Sequence, residues 1–113
     1  MWCKMAAILP HLTIAPLQAN VLTQIKTILA EALKDEGGTI YLFGSRATGV
    51  FTATSDFDVA VLAAKDIGRK LSLVREKLDH SNIPFKVDVV ELRLTSAAFN
   101  RQVRAEGLVL WKN

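Results

Sequence analysis

Apolar residues recur every three or four positions between residues 19 and 36. In ANVLTQIKTILAEALKDE, Val21, Leu22, Ile25, Ile28, Leu29, Ala32 and Leu33 would share one face of a helix, and Gly37-Gly38 ends that periodicity. The pattern then changes. TIYLFG, 39–44, is an apolar run rich in β-branched and aromatic residues, which predicts a buried strand. FDVAVLAA, 57–64, and FKVDVVEL, 85–92, predict two more. Residues 45–55 read as a turn, a short helix after Ser45 and a loop. Between 66 and 79, Ile67, Leu71, Val74 and Leu78 mark another helical face, and Ser81 to Pro84 form a turn. Thr95 or Ser96 is placed to cap a helix running to Glu106, with Gly107 past its end and LVLW, 108–111, as a last strand. The order α-β-(α)-β-α-β-α-β predicts an α/β layer, a sheet with helices packed on it. Strands joined through helices are expected to be parallel neighbours. The pattern does not fix strand order.

Composition narrows the class. The chain has 113 residues, 50% hydrophobic and 22% charged, which suits one compact domain with a real core. Its 14 basic and 11 acidic residues are interspersed, so the net charge of +3 forms no basic stripe of the kind a nucleic-acid binder carries. Cys3 stands alone, and one cysteine with two distant histidines makes neither a disulfide nor a zinc site. A reducing, cytoplasmic location is expected. The opening MWCKMAAILPHLTIAPLQAN is broken by Pro10, His11 and Pro16, too interrupted for a signal-peptide core and too short to cross a membrane. We expect an N-terminal arm over 1–18 and a single domain over 19–113.

The candidate chemistry lies in YLFGSRATGVFTATSDFDVAVL, 41–62. Asp56 and Asp58 are two apart, so on a strand they point to one face. Two carboxylates at the edge of an apolar core repel each other, and a divalent cation removes that cost. Hard oxygen ligands suit Mg²⁺, completed by water and phosphate oxygens. With six aspartates in the chain, such a pair arises by chance about 0.3 times, so by itself it decides little. Asp88 sits between valines where a buried strand would carry an apolar residue. Asp88 and Glu91 face opposite sides. We select Asp88 as the third acid, because Glu91 lies near the strand end where water reaches it. Gly44-Ser45 adds a turn directly after a strand: glycine admits close approach of a ligand, and backbone N–H groups at the start of a helical turn attract phosphate oxygens. Arg46 offers a fork for phosphate. No P-loop and no G-x-G-x-x-G is present.

Taken together, GSRATG and SDFD resemble the signature of the polymerase-β-type nucleotidyltransferase superfamily, and in particular its minimal nucleotidyltransferase (MNT) group. Gly44, Ser45, Ala47, Gly49, Ser55, Asp56 and Asp58 match the pattern, and Asp88 falls where the third acid belongs. LTSAAFNRQVRAEGLVLW is similar to the group's last helix and strand. The likeness covers roughly residues 20–111. Thr48 stands where the family carries Arg or Lys.

The resemblance implies the nucleotidyltransferase fold, α/β (α+β) with a small mixed sheet of about four strands. It implies transfer of a nucleoside monophosphate, AMP from ATP or another nucleoside triphosphate, to a hydroxyl. Asp56, Asp58 and Asp88 would hold two Mg²⁺ ions and carry catalysis, and Gly44, Ser45 and Arg46 would bind the phosphates. The chain lacks room for domains that position a nucleic-acid primer, so the expected acceptor is a protein or a small molecule. MNT proteins resemble this chain as antitoxin partners of helical HEPN-type proteins. A homo-oligomer is compatible with this reading; a non-catalytic antitoxin acting by contact and an aminoglycoside-type enzyme are the other readings.

Overall fold

The computed structural model describes residues 16–49 and 55–113. Its elements are α1 (Pro16–Leu33), β1 (Thr39–Phe43), α2 (Ser45–Thr48), β2 (Phe57–Leu62), α3 (Gly68–Asp79), β3 (Val87–Glu91), a 3-10 turn (Leu92–Leu94), α4 (Ala97–Glu106) and β4 (Leu108–Lys112). The arm expected over 1–18 lies outside the described residues up to residue 15, and 16–18 belong to α1. Among the described residues, no helix is long and apolar enough to cross a membrane.

The four strands lie in the order β3-β2-β1-β4. β1 runs antiparallel to both β2 and β4, and β2 runs parallel to β3. The sheet is therefore mixed, and only one helical connection joins parallel neighbours. α2 has four residues, too few to carry the chain back along the sheet, so β2 returns antiparallel beside β1. α3, with 12 residues, is about 18 Å long and makes the parallel crossover from β2 to β3. α4 instead delivers β4 to the far edge, against β1.

Each sheet face has its own apolar layer. On one, Leu22, Ile25, Leu29 and Leu33 of α1 and Leu71 of α3 pack at zero exposure on Ile40, Phe57, Val59 and Val61. The spacing read from the sequence thus produces the stripe that drives this packing. On the other face, Ala60, Leu92 and Val103 form a smaller cluster with Tyr41, Phe43, Leu62 and Phe99 packed against it. Phe43 and Phe99 meet edge to face at 5.5 Å. α4 is the helix over this second face.

The start of α4 resolves the choice between two caps. Ser96 Oγ accepts the Phe99 N–H at 3.1 Å, whereas Thr95 Oγ1 donates to the Leu92 carbonyl at 2.7 Å and closes the 3-10 turn. Ser96→Ala leaves a first-turn N–H without that acceptor. It is expected to cost about 1 kcal/mol, read as a lowered urea midpoint with an unchanged slope.

Candidate active site

β1 ends where β2 and β3 begin, so three strand ends meet at one end of the sheet. Register places Phe43 opposite Asp58, and Asp58 opposite Asp88. Asp58 and Asp88 are therefore neighbours across the parallel pair and share a face. It is the face that α4 covers further along, and the acids stand at its open end, Asp58 half-buried and the Asp88 side chain 48% exposed. Asp56 lies just before β2 and is exposed. The structure thus brings the three acids chosen from the sequence to one end of one face.

Gly44 closes the group. Its backbone has φ 74° and ψ −156°, a region essentially confined to glycine. A Cβ on this residue would stand 2.5 Å from Asp58 Oδ2. The backbone conformation requires glycine, and an added Cβ would also push the Asp58 carboxylate aside. From Gly44 the chain turns directly into α2. The Gly44 carbonyl accepts the N–H groups of Ala47 and Thr48, and Gly49 caps the turn with its N–H on the Ser45 carbonyl. Exposed Thr48 donates from Oγ1 to the Ser45 carbonyl at 3.3 Å, so it braces the turn as a local hydrogen bond. Beside the turn, Phe43, Thr48, Phe99 and Gln102 line a pocket of about 300 Å³.

Burial first, then the charges of Asp88 and Asp56, push the Asp58 carboxyl above its ordinary range, and Lys86 opposes the shift. Lys86 is 70% exposed and 3.9 Å from Asp88, so it compensates weakly. Because the folded state raises this pKa, Asp58 favours folding most below its unfolded value and loses that contribution as pH rises through the folded value. Asp58→Asn is therefore expected to raise the melting temperature at pH 7 and to leave it nearly unchanged at pH 3.5. A larger gain at the acid end would contradict this picture of the site.

Among the described residues, no group of three or more acidic, histidine or cysteine side chains is closed enough to hold a metal ion unaided. Mg²⁺ does not need such a cage: it keeps several waters and takes one or two carboxylates plus substrate phosphates. The donor set is all oxygen, and a cation would relieve the repulsion that Asp88 and Asp56 exert on Asp58. The residues fit that ion.

One expectation changes. Glu91 is not solvated. It is 6% exposed and pairs with Arg93 at 3.3 Å, because its side of β3 is covered rather than open. Asp88 remains the acid beside Asp58, through register rather than through the solvation of Glu91. Arg46, expected as a phosphate fork, is 6% exposed. Its Nε and Nη2 donate to the Ser55 carbonyl at 3.2 and 2.8 Å. Its guanidinium carbon lies 4.3 Å from the Phe57 ring centre and 5.0 Å from that of Phe85. The guanidinium therefore points inward, between the Ser55 carbonyl and the two rings. Lys86 was missed in the sequence, where nothing but its closeness to Asp88 marks it.

A family model described as "Polymerase beta, Nucleotidyltransferase" matches residues 23–113. The chain belongs to this nucleotidyltransferase family. The nucleotidyltransferase is 27% identical over 95 residues to the probable protein adenylyltransferase MntA of Haemophilus influenzae, covering 83% of this chain and 82% of that one. It is 38% identical over 72 residues to the protein adenylyltransferase MntA of Shewanella oneidensis, covering 64% of this chain and 52% of that relative. A solved structure of a tri-AMPylated Shewanella oneidensis HEPN toxin in complex with MNT antitoxin is similar at a TM-score of 0.57 and 29% identity, over 81% of this chain and 73% of that one. The likeness read from GSRATG and SDFD and the expected small mixed sheet are both shown.

Proposed function

We propose that this nucleotidyltransferase moves AMP from ATP to a hydroxyl of a protein, breaking the bond between the α- and β-phosphates and releasing pyrophosphate, in the cytoplasm, as the antitoxin partner of a helical HEPN-type protein. One observation carries the chemical part: Asp58 rests against Gly44 on one side and lies in register with Asp88 on the other. On this reading the phosphate turn and the acids work as one site. The relatives named above support the acceptor class and the partner.

Gly44 and Ser45 would receive the terminal phosphates, because the glycine lets them approach the backbone and the turn presents N–H groups. Asp56, Asp58 and Asp88 would hold two Mg²⁺ ions. Bound there, magnesium supplies charge neutralisation of the triphosphate and a lowered pKa for the attacking hydroxyl. Asp88, on the edge strand and half-exposed, would take the proton of the acceptor hydroxyl. Catalysis on this plan is mostly positioning and charge compensation.

The test is transfer from ATP labelled in the α-phosphate, with Mg²⁺ and a co-expressed helical partner. Label retained on the partner after denaturation supports the proposal. Label on neither partner nor small hydroxyl compounds, with the complex still formed, supports an antitoxin that acts by contact, the reading that Thr48 at the family's cation position favours.

A further inference from the structure

We infer that Arg46 is a positioning residue that locks the phosphate turn to the lead-in of all three acids. The inference rests on the reading of the site given above. Arg46 belongs to α2, the turn that follows Gly44 and Ser45. Its guanidinium donates twice to the carbonyl of Ser55, the residue before Asp56. One face lies by Phe57, the residue between Asp56 and Asp58, and the ring of Phe85, three residues before Asp88, is also within reach. Phe57 and Phe85 pack edge to face at 5.3 Å, and the Phe57 N–H donates to the Lys86 carbonyl at 2.9 Å. One side chain therefore touches the backbone or a ring in each segment that delivers an acid.

The chemistry of arginine suits such a role. A planar guanidinium donates in its plane and stacks on rings through its faces at the same time; an ammonium offers no fork and no flat face. Burying it carries a desolvation cost that an apolar side chain of similar size would avoid. What the arginine adds is a fixed distance between the turn that receives phosphates and the carboxylates that hold the metals. Errors of about 1 Å in such distances can lower rates about 100-fold.

The experiment compares wild type, Arg46→Lys and Arg46→Ala in complex with the helical partner, in the labelled transfer assay, with the folded fraction measured on the same samples. Arg46→Lys keeps the charge and loses the fork. It is expected to stay folded, with kcat per folded molecule about 30- to 100-fold lower and KM for ATP within about threefold. Arg46→Ala is expected to regain at least a tenfold part of its loss in millimolar guanidinium, and none in methylammonium. A purely structural arginine would lower the folded fraction and leave kcat per folded molecule intact. Wild-type kcat in Arg46→Lys, or a loss in Arg46→Ala that guanidinium does not restore, overturns the inference while the active wild type upholds the reading of the site. An inactive wild type overturns both.

Discussion

Replacing Asp56 and Asp58 together by asparagine is expected to lower nucleotide transfer by at least about 10³-fold while leaving the chain folded and bound to its partner. The size follows from the role proposed for the two side chains. Asparagine keeps their shape and much of their hydrogen bonding, but a neutral amide binds a hard divalent cation far more weakly than a carboxylate. On the proposed mechanism, losing the metals would remove both charge compensation for the triphosphate and activation of the acceptor. The fold does not share that loss. Asp56 is exposed, and Asp58 is a carboxylate whose charged form the folded state disfavours. The measurement is the initial rate of label transfer at saturating Mg²⁺, with partner binding measured on the same protein. A double variant that transfers within tenfold of wild type would remove these residues from the chemistry.

Gly44→Ala is expected to have the second-largest effect, at least about 100-fold on transfer and about 1–3 kcal/mol on stability. Its Cβ meets Asp58 Oδ2 at 2.5 Å, and its backbone lies in a glycine region at φ 74°, ψ −156°. Either the carboxylate or the turn must move, and both belong to the site. A control separates strain from contact. Gly37 also has a positive φ, 69°, but a Cβ there meets nothing nearer than the Asn113 carbonyl oxygen at 3.9 Å. Gly37→Ala is therefore expected to cost about 1 kcal/mol with transfer unchanged. Equal activity losses in the two variants, per folded molecule, would mean that the Asp58 contact has no special part.

Most elements were legible because each follows from local chemistry. The α1 stripe, the β-branched runs at 39 and 57, and Ser96 with Gly107 around α4 are written in neighbouring residues. β2 and β3 came out shorter than read, 57–62 and 87–91, because Ala63 and Ala64 leave the sheet while Phe85 and Lys86 precede it and Leu92 enters the 3-10 turn. The antiparallel return of β2 was not legible, since it depends on the length of α2 and on which edge remains open. The acids and Gly44 were visible as a motif; their meeting was not, because it depends on the Phe43–Asp58–Asp88 register across three strands. The fates of Arg46 and Glu91 depend on what covers them, which is set by long-range packing.

Asp58 has a second consequence, for how the sheet finds its pairing. Phe57, Val59 and Val61 are fully buried against the helical layer of α1 and α3, and Asp58 lies on the opposite face with Ala60. A slip of β2 by one residue would exchange the two sets, sinking a carboxylate into the main core and turning three large apolar side chains away from it. Such a misregistered sheet is excluded far more strongly than it would be with a valine at position 58. The same charge that makes the mature site electrostatically uncomfortable thus discards wrong alignments while the chain folds, so a variant made quieter at this position gains stability and loses a proofreader.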